Sequence, residues 1–220
     1  MAKPDIVVVI GLGRFGEALA LELVAQGTEV FGIDTDERLV QKMAGLLTHT
    51  VVADCTDEEA LRQLGVDEQS RVVVGSGTDI EASILVCSVL QSFGIRDLWA
   101  KAISEPHARI LTQLGVDHVV RPEHDTGRRV AHLVAGRMLD YIEFDDGFAI
   151  VKMRPPRSVV GTPLETCTPR RQFGVTVVGV KRAGEDFHHA TGQTVVEEGD
   201  LIIVSGERAK VEAFAEQNAV

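Results

Sequence analysis

One stretch decides the fold: DIVVVIGLGRFG, residues 5–16. Its first half, residues 5–10, is β-branched and almost uniformly apolar, which predicts a strand buried on both faces. The glycines Gly11, Gly13 and Gly16 follow directly and open a helical pattern. A strand, a G-x-G-x-x-G turn and a helix in this order predict a dinucleotide-binding turn, whereas the glycine spacing alone is a weak signal.

The rest of the N-terminal half repeats the alternation of strand and helix. The first helical pattern runs to about Gln26, and further strands are predicted at 30–33, 50–53, 71–74, 98–101 and 117–120, with helical patterns between them. Strands that alternate with helices are parallel and joined by right-handed crossovers. We therefore predict an α/β fold with a Rossmann-like, doubly wound parallel sheet.

A change of periodicity marks the C-terminal part of the chain. A helix with one apolar face is predicted at 123–139. Beyond it, short strands are predicted at 141–144, 148–153, 175–180, 194–196 and 201–204, before a final helix at about 207–217. The predicted organisation is a sheet domain at 1–122, a crossover helix at 123–139 and a small α+β domain at 140–220.

The glycine-rich turn predicts a phosphate site. Gly11 permits the tight turn, Gly13 lets a phosphate approach the backbone, and Gly16 lets helix and strand pack closely. The N–H groups at the start of the helix and the helix dipole favour an anion there. Asp34 ends the next strand, where a carboxylate accepts hydrogen bonds from ribose hydroxyls and repels the 2′-phosphate of NADP.

Further residues are predicted at the same edge of the sheet. Arg14 and its neighbour Phe15 lie inside the turn, where a guanidinium suits the terminal phosphates of ATP or ADP as well as the pyrophosphate of NAD. Alternatively, Arg14 is a surface arginine paired with Glu17 or with solvent. Asp54 ends the third strand and either contacts the adenine or ribose or caps the following turn. Lys101 ends the fifth strand, at the ligand-binding edge, or is an ordinary strand-end lysine. Which adenine nucleotide binds stays open.

Composition and charge exclude several classes of protein. The 22 basic and 33 acidic residues give a net charge of −11, so no nucleic-acid partner is expected, because such affinity comes chiefly from neutralising phosphates. Cys55, Cys87 and Cys167 are widely spaced and predict neither a disulfide framework nor a zinc site. No apolar run approaches the roughly 20 residues that span a bilayer, and no signal peptide is recognisable. We expect a cytoplasmic protein.

The sequence shows no arrangement typical of an enzyme. It has no recognisable Ser/His/Asp or Cys/His set and no nucleophile elbow. His188 and His189 are predicted to lie in a solvated loop, without a third metal ligand. The small domain shows no acid–base cluster of the kind that a dehydrogenase needs. These observations favour a protein that binds a nucleotide without transforming it.

Several motifs together resemble one family. They are VIGLGRFG at 9–16 with Asp34, RPEHDTG at 121–127 and, in the small domain, Gly174, Val180-Lys181-Arg182 and Glu198-Gly199-Asp200. The combination is similar to the cytoplasmic regulatory subunits of Ktr/Trk potassium transporters, of the KtrA/TrkA type, and covers nearly the whole chain. The resemblance implies an RCK_N domain, a crossover helix that makes a dimer contact, and an RCK_C domain.

The resemblance also implies ligands. It places ATP, ADP or NAD(H) in the RCK_N domain, where Arg14 matches an arginine that reaches the γ-phosphate of ATP and Asp34 matches the ribose-binding acid. Glu123 matches a glutamate associated with the nucleotide and a divalent cation, Mg²⁺ or Ca²⁺, at a dimer interface. Arg170 aligns with an arginine that binds cyclic di-AMP in several relatives.

The hypothesis that these features favour is a non-catalytic regulatory subunit that binds an adenine nucleotide and gates a membrane potassium uptake transporter. The resemblance implies dimers that assemble into an octameric ring, held at the inner face of the cell membrane by the potassium-translocating subunit. Two alternatives share the fingerprint. One is an NAD-dependent oxidoreductase whose small domain completes a substrate pocket, and the other is a stand-alone sensor of NAD(H) or cyclic di-AMP.

Overall fold

The computed structural model describes residues 6–76, 79–136, 138–144 and 146–217. The chain forms two compact units, and the boundary between them in the sequence lies between Glu123 and His124. Each unit has its own sheet and its own hydrophobic core. No helix within the described ranges combines the length and the apolar character needed to cross a lipid bilayer.

The first unit is built on a six-stranded parallel sheet. Its strands are β1 (Val7–Ile10), β2 (Val30–Asp34), β3 (His49–Val52), β4 (Arg71–Val74), β5 (Asp97–Lys101) and β6 (His118–Val120). They lie in the order β3-β2-β1-β4-β5-β6 and all pair in parallel. The connecting helices are α1 (Arg14–Ala25), α2 (Glu37–Met43), α3 (Glu58–Gln63), α4 (Ile80–Ser92) and α5 (Glu105–Gln113). The predicted doubly wound α/β fold is confirmed; Asp5, the predicted first residue of β1, lies outside the described residues.

The uniformly apolar sequence of β1 follows from its central place in the sheet. All four of its residues are buried, and successive side chains of a strand point to opposite faces. Val8 and Ile10 therefore belong to one core cluster, and Val7 and Val9 to the other. The strand order reverses between β1 and β4, so the carboxyl ends of these two strands open the crevice in which folds of this kind bind ligands.

Most helices of the first unit begin at a side-chain cap, but α1 does not. Asp36, Asp57, Asp79 and Ser104 each accept a hydrogen bond from a backbone N–H in the first turn of the following helix. The N-cap of α1 is Gly13, which offers no side-chain acceptor. The first N–H groups of α1 are therefore left for water or for an external acceptor.

The second unit contains an antiparallel sheet with short helices. Its strands are β7 (Asp140–Glu143), β8 (Phe148–Met153), β9 (Val175–Lys181), β10 (His188–His189) and β11 (Leu201–Glu207), in the order β10-β9-β11-β8-β7. The helices that follow α5 are α6 (Pro122–Val134), α7 (Leu164–Cys167), α8 (Pro169–Phe173) and α9 (Arg208–Glu216). The prediction of a smaller C-terminal α+β fold is confirmed.

Two local predictions in this unit are wrong. The strand expected at 194–196 is absent: Val195 and Val196 form only isolated bridges, to Pro163 and Val160. The residues at 188–189, expected in a solvated loop, form β10 and pair with the end of β9. Pro163 and Val160 belong to no strand, whereas residues 188–189 lie beside β9. A segment this short depends on such a neighbour, because it has no periodicity of its own.

The crossover helix is shorter than the predicted 123–139. It begins at Pro122 and ends at Val134. Gly136 adopts a φ of +74°, a left-handed conformation that glycine reaches at little cost and that typically follows the end of a helix. The predicted end at 139 is therefore wrong, because Gly136 ends the helix before that residue.

Helix α6 carries no buried residue. Its polar face is tied to β7, because Arg128 donates to Glu143 and the Arg129 guanidinium lies 2.6 Å from Asp140. Its apolar face is open: Val134 is 80% exposed. Ion pairs thus attach this face of the helix to β7, and Val134 remains available for another contact.

Each unit contains one aromatic side chain stacked on a histidine. In the first unit, Trp99 stacks on His118, and in the second, Tyr141 stacks on His132 of α6; both pairs of ring centroids lie 4.0 Å apart. The Tyr141 hydroxyl also donates to Glu143 at 2.7 Å. These contacts fix the two rings within their respective units.

Candidate functional site

A cavity of about 860 Å³ lies at the carboxyl ends of the parallel strands. It occupies the crevice between the ends of β1 and β4, where the strand order reverses. Among the residues that line it are those predicted from the sequence: Gly11, Gly13, Arg14, Phe15, Asp34, Asp54, Lys101 and Glu123. The fold therefore brings the predicted residues together, and the binding role of each stays a prediction.

The three glycines of the turn differ in what surrounds them. Gly11 has a φ of +90°, and a Cβ there would lie 2.6 Å from the backbone nitrogen of Ser76. A Cβ at Gly16, which does not line the cavity, would lie 1.8 Å from the carbonyl oxygen of Gly11. Gly13 has a φ of −65°, and a Cβ there would meet nothing within 4 Å. The fold requires Gly11 and Gly16, whereas the space beside Gly13 is open to a ligand.

Asp34 fastens the glycine-rich turn to β2. One of its oxygens accepts a hydrogen bond from the backbone N–H of Leu12 at 2.6 Å, and the other accepts from that of Asp36 at 2.8 Å. The sequence predicted a ribose acceptor, and the structure adds this positioning role. Because each carboxylate oxygen has two lone pairs, Asp34 retains the capacity to accept from a ribose hydroxyl.

Asp54 caps a turn, which was one of its two predicted roles. Its Oδ1 accepts from the backbone N–H of Thr56 at 2.9 Å and from the Thr56 hydroxyl at 2.7 Å. These hydrogen bonds hold the pKa of Asp54 below its ordinary value. The side chain also lines the cavity, so the adenine or ribose contact stays a prediction beside the observed cap.

The thiol of Cys55 lies against the same wall of the cavity. Burial raises its pKa to about 12, and the negative charges of Asp54 and Asp34 act in the same direction. A thiol with this pKa is protonated at neutral pH, and nucleophilic chemistry needs the thiolate. Cys55 therefore contributes packing to the cavity and no nucleophile.

Opposite charges meet at one end of the cavity. The Lys101 ammonium lies 2.6 Å from Glu123 Oε1 and 5.7 Å from the centroid of the Phe15 ring. The hydrogen bond from Lys101 is the main reason why the pKa of Glu123 lies below its ordinary value, and the charge of Arg14 adds to it. Lys101 and Arg14 thus provide two cations beside the uncapped start of α1.

The cavity is also lined by residues that the sequence reasoning missed. Ser76 follows β4, and the apolar side chains of Leu85 on α4 and Ile103 after β5 are 46% and 47% exposed. Ser76 could have been identified, because it follows β4 and ligands of such folds bind at the carboxyl ends of the strands. Nothing in the sequence marks Leu85 or Ile103, because their place depends on how α4 packs on the sheet.

The described residues do not form a divalent-cation site around Glu123. They contain no cluster of three or more His, Cys, Asp or Glu side chains that could hold a metal ion. One oxygen of Glu123 already accepts from Lys101, and Mg²⁺ and Ca²⁺ require about six oxygen ligands or more. A cation at Glu123 stays a prediction that needs ligands beyond these residues.

Arg170 belongs to a separate cavity in the second unit. This cavity has a volume of about 680 Å³ and is lined by residues of α7, α8 and β9. Arg170 Nε donates to the Thr176 hydroxyl at 3.1 Å. The side chain is therefore positioned by β9, and its contact with cyclic di-AMP stays a prediction.

Comparison with known proteins identifies the family. The TrkA-N domain family matches residues 7–122, and the TrkA-C domain family matches residues 148–218. The chain belongs to the TrkA family. Within this family, Ktr system potassium uptake protein C of Bacillus subtilis (strain 168) is 34% identical over 207 residues, which cover 94% of each chain. Ktr system potassium uptake protein A of Vibrio alginolyticus is 36% identical over 204 residues, covering 92% of this chain and 93% of that protein.

Solved structures with a similar fold are RCK domains of the GsuK channel. The GsuK RCK domain superimposes with a TM-score of 0.67 at 15% identity, over 100% of this TrkA-family chain and 48% of that chain. The GsuK channel bound to NAD gives a TM-score of 0.52 at 22% identity, over 97% of this chain and 38% of that one. These structures show the fold. The family matches and the two Ktr relatives confirm the resemblance to Ktr/Trk regulatory subunits that the sequence motifs indicated.

Proposed function

We propose that this chain is a non-catalytic regulatory subunit that binds an adenine nucleotide in the cavity of the first unit and gates a membrane potassium-translocating partner. The relatives named above are potassium uptake proteins of Ktr systems. The observation that carries the nucleotide proposal is the start of α1, where an uncapped helix faces the open space beside Gly13.

The chemistry of this position suits a polyphosphate. Free N–H groups and the helix dipole attract an anion, and the two nearby cations, Arg14 and Lys101, supply charge-assisted hydrogen bonds. Asp34, on the other side of the turn, has capacity left for a ribose hydroxyl. ATP and ADP fit this arrangement from phosphate to ribose, and they differ in the charge that they present to Arg14 and Lys101.

NAD(H) is a second candidate ligand. Leu85 and Ile103, which line the cavity and are exposed, offer an apolar surface to a second nucleoside. One of the similar folds is a GsuK channel bound to NAD. Competition between NADH and ATP for the purified protein would rank the two ligands.

A regulatory role is favoured over catalysis by the side chains at the cavity. The Cys55 thiol is protonated, and no histidine is among the described residues that line the cavity. A ligand that is only bound can still do work, because it shifts a partner between two states by its difference in affinity for them. This proposal places the chain in the cytoplasm, at the inner face of the membrane.

In this proposal the chain self-associates as its resemblance to the family implies. Dimers would use the open apolar face of α6, where Val130 and Val134 are exposed, and would associate into an octameric ring beneath the transporter. A divalent cation at Glu123 and cyclic di-AMP at Arg170 are further ligands that the resemblance implies.

The nucleotide proposal is tested by calorimetric titration of ATP and ADP into the wild type and the Arg14→Ala variant. A lost charge-assisted hydrogen bond costs about 1.5–3 kcal/mol, so we expect ATP affinity to fall by roughly 10- to 100-fold, and ADP affinity to fall less. Arg109→Ala is the matched control, since Arg109 is exposed on α5 and does not line the cavity. If Arg14→Ala leaves both affinities and their ratio unchanged, the proposal is wrong.

The partner is tested by co-purification from the membrane of a cell that expresses the tagged chain. A potassium-translocating membrane protein recovered in stoichiometric amount would support the proposal. Recovery of the chain alone, in the presence of saturating ATP or ADP, would favour the stand-alone sensor.

A further inference from the structure

Basic side chains line a further cavity, which belongs to the second unit. This cavity has a volume of about 1270 Å³, and its charged lining, within the described residues, consists of Arg154, Arg157, Lys181, Arg182 and one acid, Glu198. The whole chain, by contrast, has 33 acidic and 22 basic residues. Cations that line one cavity repel one another until an anion neutralises them, so this excess of positive charge in an acidic protein predicts an anionic ligand.

The antiparallel sheet brings two of these cations to the same edge. β8 and β9 lie on either side of β11 and both run antiparallel to it, so they end at one edge of the sheet. Lys181, the last residue of β9, pairs with Leu201. On the other side of β11, Met153 ends β8 beside Ile202. Arg154 follows Met153 and is therefore placed across β11 from Lys181.

The segment that carries Arg157 is held in place by its neighbours. Arg157 begins a single 3-10 turn that ends at Val159, which is fully buried. Pro156 precedes it, is also buried, and has its φ of −69° fixed by the ring. The Ser158 hydroxyl donates to Gln217 Oε1 at 2.9 Å. Arg157 itself is exposed, and because its backbone is already fixed, little backbone entropy is lost when it binds a ligand.

The cations of the cavity differ in the partners that they already have. Arg182 lies 3.0 Å from Glu197 and 3.9 Å from Asp200, whose side chain is only 5% exposed. The charge of Arg182 is therefore used to neutralise the turn between β10 and β11. Arg157 and Lys181 pair with no acid in the part of the chain that the structure describes. These two side chains are the cations that an external anion can take.

We propose that this cavity binds a phosphate-bearing ligand through Arg157 and Lys181. A guanidinium matches the oxygens of a phosphate with pairs of N–H groups, and an ammonium adds a compact positive charge. The cavity is larger than the roughly 300–1000 Å³ of typical small-molecule pockets, so it has room for an organic phosphate. It shares no lining residue with the cavity of Arg170, and the inference does not depend on a nucleotide in the first unit.

Calorimetric titration of inorganic pyrophosphate into the full-length protein tests the site. We expect Arg157→Gln and Lys181→Gln each to weaken pyrophosphate binding roughly tenfold, the effect of one lost charge-assisted hydrogen bond. Glu198 is exposed, and Glu198→Gln should tighten binding roughly two- to fivefold, because it removes a repelling charge. Citrate has a similar charge at neutral pH but carboxylates in place of phosphates, and it should bind more weakly than pyrophosphate.

Two controls separate this site from other cations. Lys210 is an exposed lysine of α9 that pairs with Glu207 and does not line the cavity, so Lys210→Gln should leave the titration unchanged. Arg14→Ala should weaken only the pyrophosphate that binds in the first unit. The proposal is overturned if pyrophosphate does not bind, or if both Gln variants of the two cations bind it as the wild type does. Citrate binding as tight as that of pyrophosphate, or weaker pyrophosphate binding in Glu198→Gln, also overturns it.

Vesicle sedimentation distinguishes the two sources of the phosphate, a lipid headgroup and a soluble molecule. Phosphatidylcholine vesicles that contain cardiolipin, a lipid with two phosphates, are compared with vesicles of phosphatidylcholine alone. Sedimentation of the wild type with the cardiolipin vesicles, lost in the double variant Arg157→Gln/Lys181→Gln, would identify a lipid headgroup. Pyrophosphate binding without sedimentation, or with sedimentation that the double variant retains, would identify a soluble ligand.

Discussion

The three glycines of the turn look alike in the sequence and serve different purposes in the structure. Gly11 and Gly16 are required by the chain itself, since a side chain at either would collide with backbone atoms. Gly13 meets no such obstacle and has an ordinary φ. At the scale of single residues, Gly13 is therefore the glycine of the turn at which a substitution can affect ligand binding without disturbing the fold.

Gly13→Ala should leave the protein folded and impair nucleotide binding. The fold has room for the methyl group, and exchanging glycine for alanine at an N-cap costs about 1 kcal/mol or less. The same methyl would stand where a phosphate approaches α1, so ATP affinity should fall at least about tenfold (~1.4 kcal/mol). Calorimetry and chemical denaturation measure the two effects.

The control is Gly16→Ala, for which we expect a large loss of folding stability. A Cβ placed 1.8 Å from the Gly11 carbonyl oxygen forces the backbone to move, and overpacking typically costs about 1–3 kcal/mol, occasionally more. Equal losses of stability in the two variants would contradict the distinction drawn between these glycines.

Single residues could be placed from the sequence where a strand end located them. Asp34, Asp54 and Lys101 each follow or end a strand, and they line one cavity as expected. Their partners could not be predicted: the hydrogen bond from Leu12 to Asp34 exists only because β1 and β2 pair in a particular register. Contacts between residues distant in the sequence need the fold first.

At the scale of elements, α6 is attached to its unit by charged side chains and by the stacking of His132 on Tyr141. Arg128 and Arg129 attach it to β7, while none of its described residues is buried. A helix of this length is marginal alone in water, and most helical stability in proteins comes from packing an apolar face. Packing of the open face with Val134 against another surface would therefore stabilise the helix further.

Val134→Asp should weaken self-association without unfolding the monomer. Val134 is 80% exposed within the chain, so a charge there costs little until another copy covers it. Analytical ultracentrifugation should show a lower oligomeric state, with unchanged helical content by circular dichroism. Leu46→Asp is the control, because Leu46 is a 51% exposed apolar residue that belongs to the first unit and not to α6. An unchanged oligomer in Val134→Asp would contradict a dimer contact on this face.

Elements with a clear apolar pattern were predicted well, and elements without one were predicted poorly. The six parallel strands were evident because short apolar runs, most of them β-branched, alternate with helical patterns. The four- and five-residue helices α7 and α8 have too few residues to show a period, and β10 is a strand only because β9 lies beside it. The end of α6 was predictable from Gly136 and was overlooked.

At the scale of the whole molecule, the two units have separate cores. Leu98 is fully buried in the first, and Ile202 in the second. Because each core lies within one unit, we expect calorimetry to resolve two unfolding transitions. ATP at about 100 times its Kd should stabilise the first unit alone, by about 2.7 kcal/mol.

Two core substitutions assign the transitions. Leu98→Ala and Ile202→Ala each remove a buried side chain, which typically costs about 2–5 kcal/mol. The first variant should lower the transition that ATP raises, and the second should lower the other. A single transition that both variants lower equally would show that the chain unfolds as one cooperative body.

The stacked rings described above have a practical consequence. The chain has one tryptophan and one tyrosine, and these are Trp99 in the first unit and Tyr141 in the second. Indole and phenol absorb at different wavelengths, so each half of the molecule carries its own natural optical label. Fluorescence excited at the red edge of the indole band would follow the nucleotide-binding half alone, with no dye and no substitution.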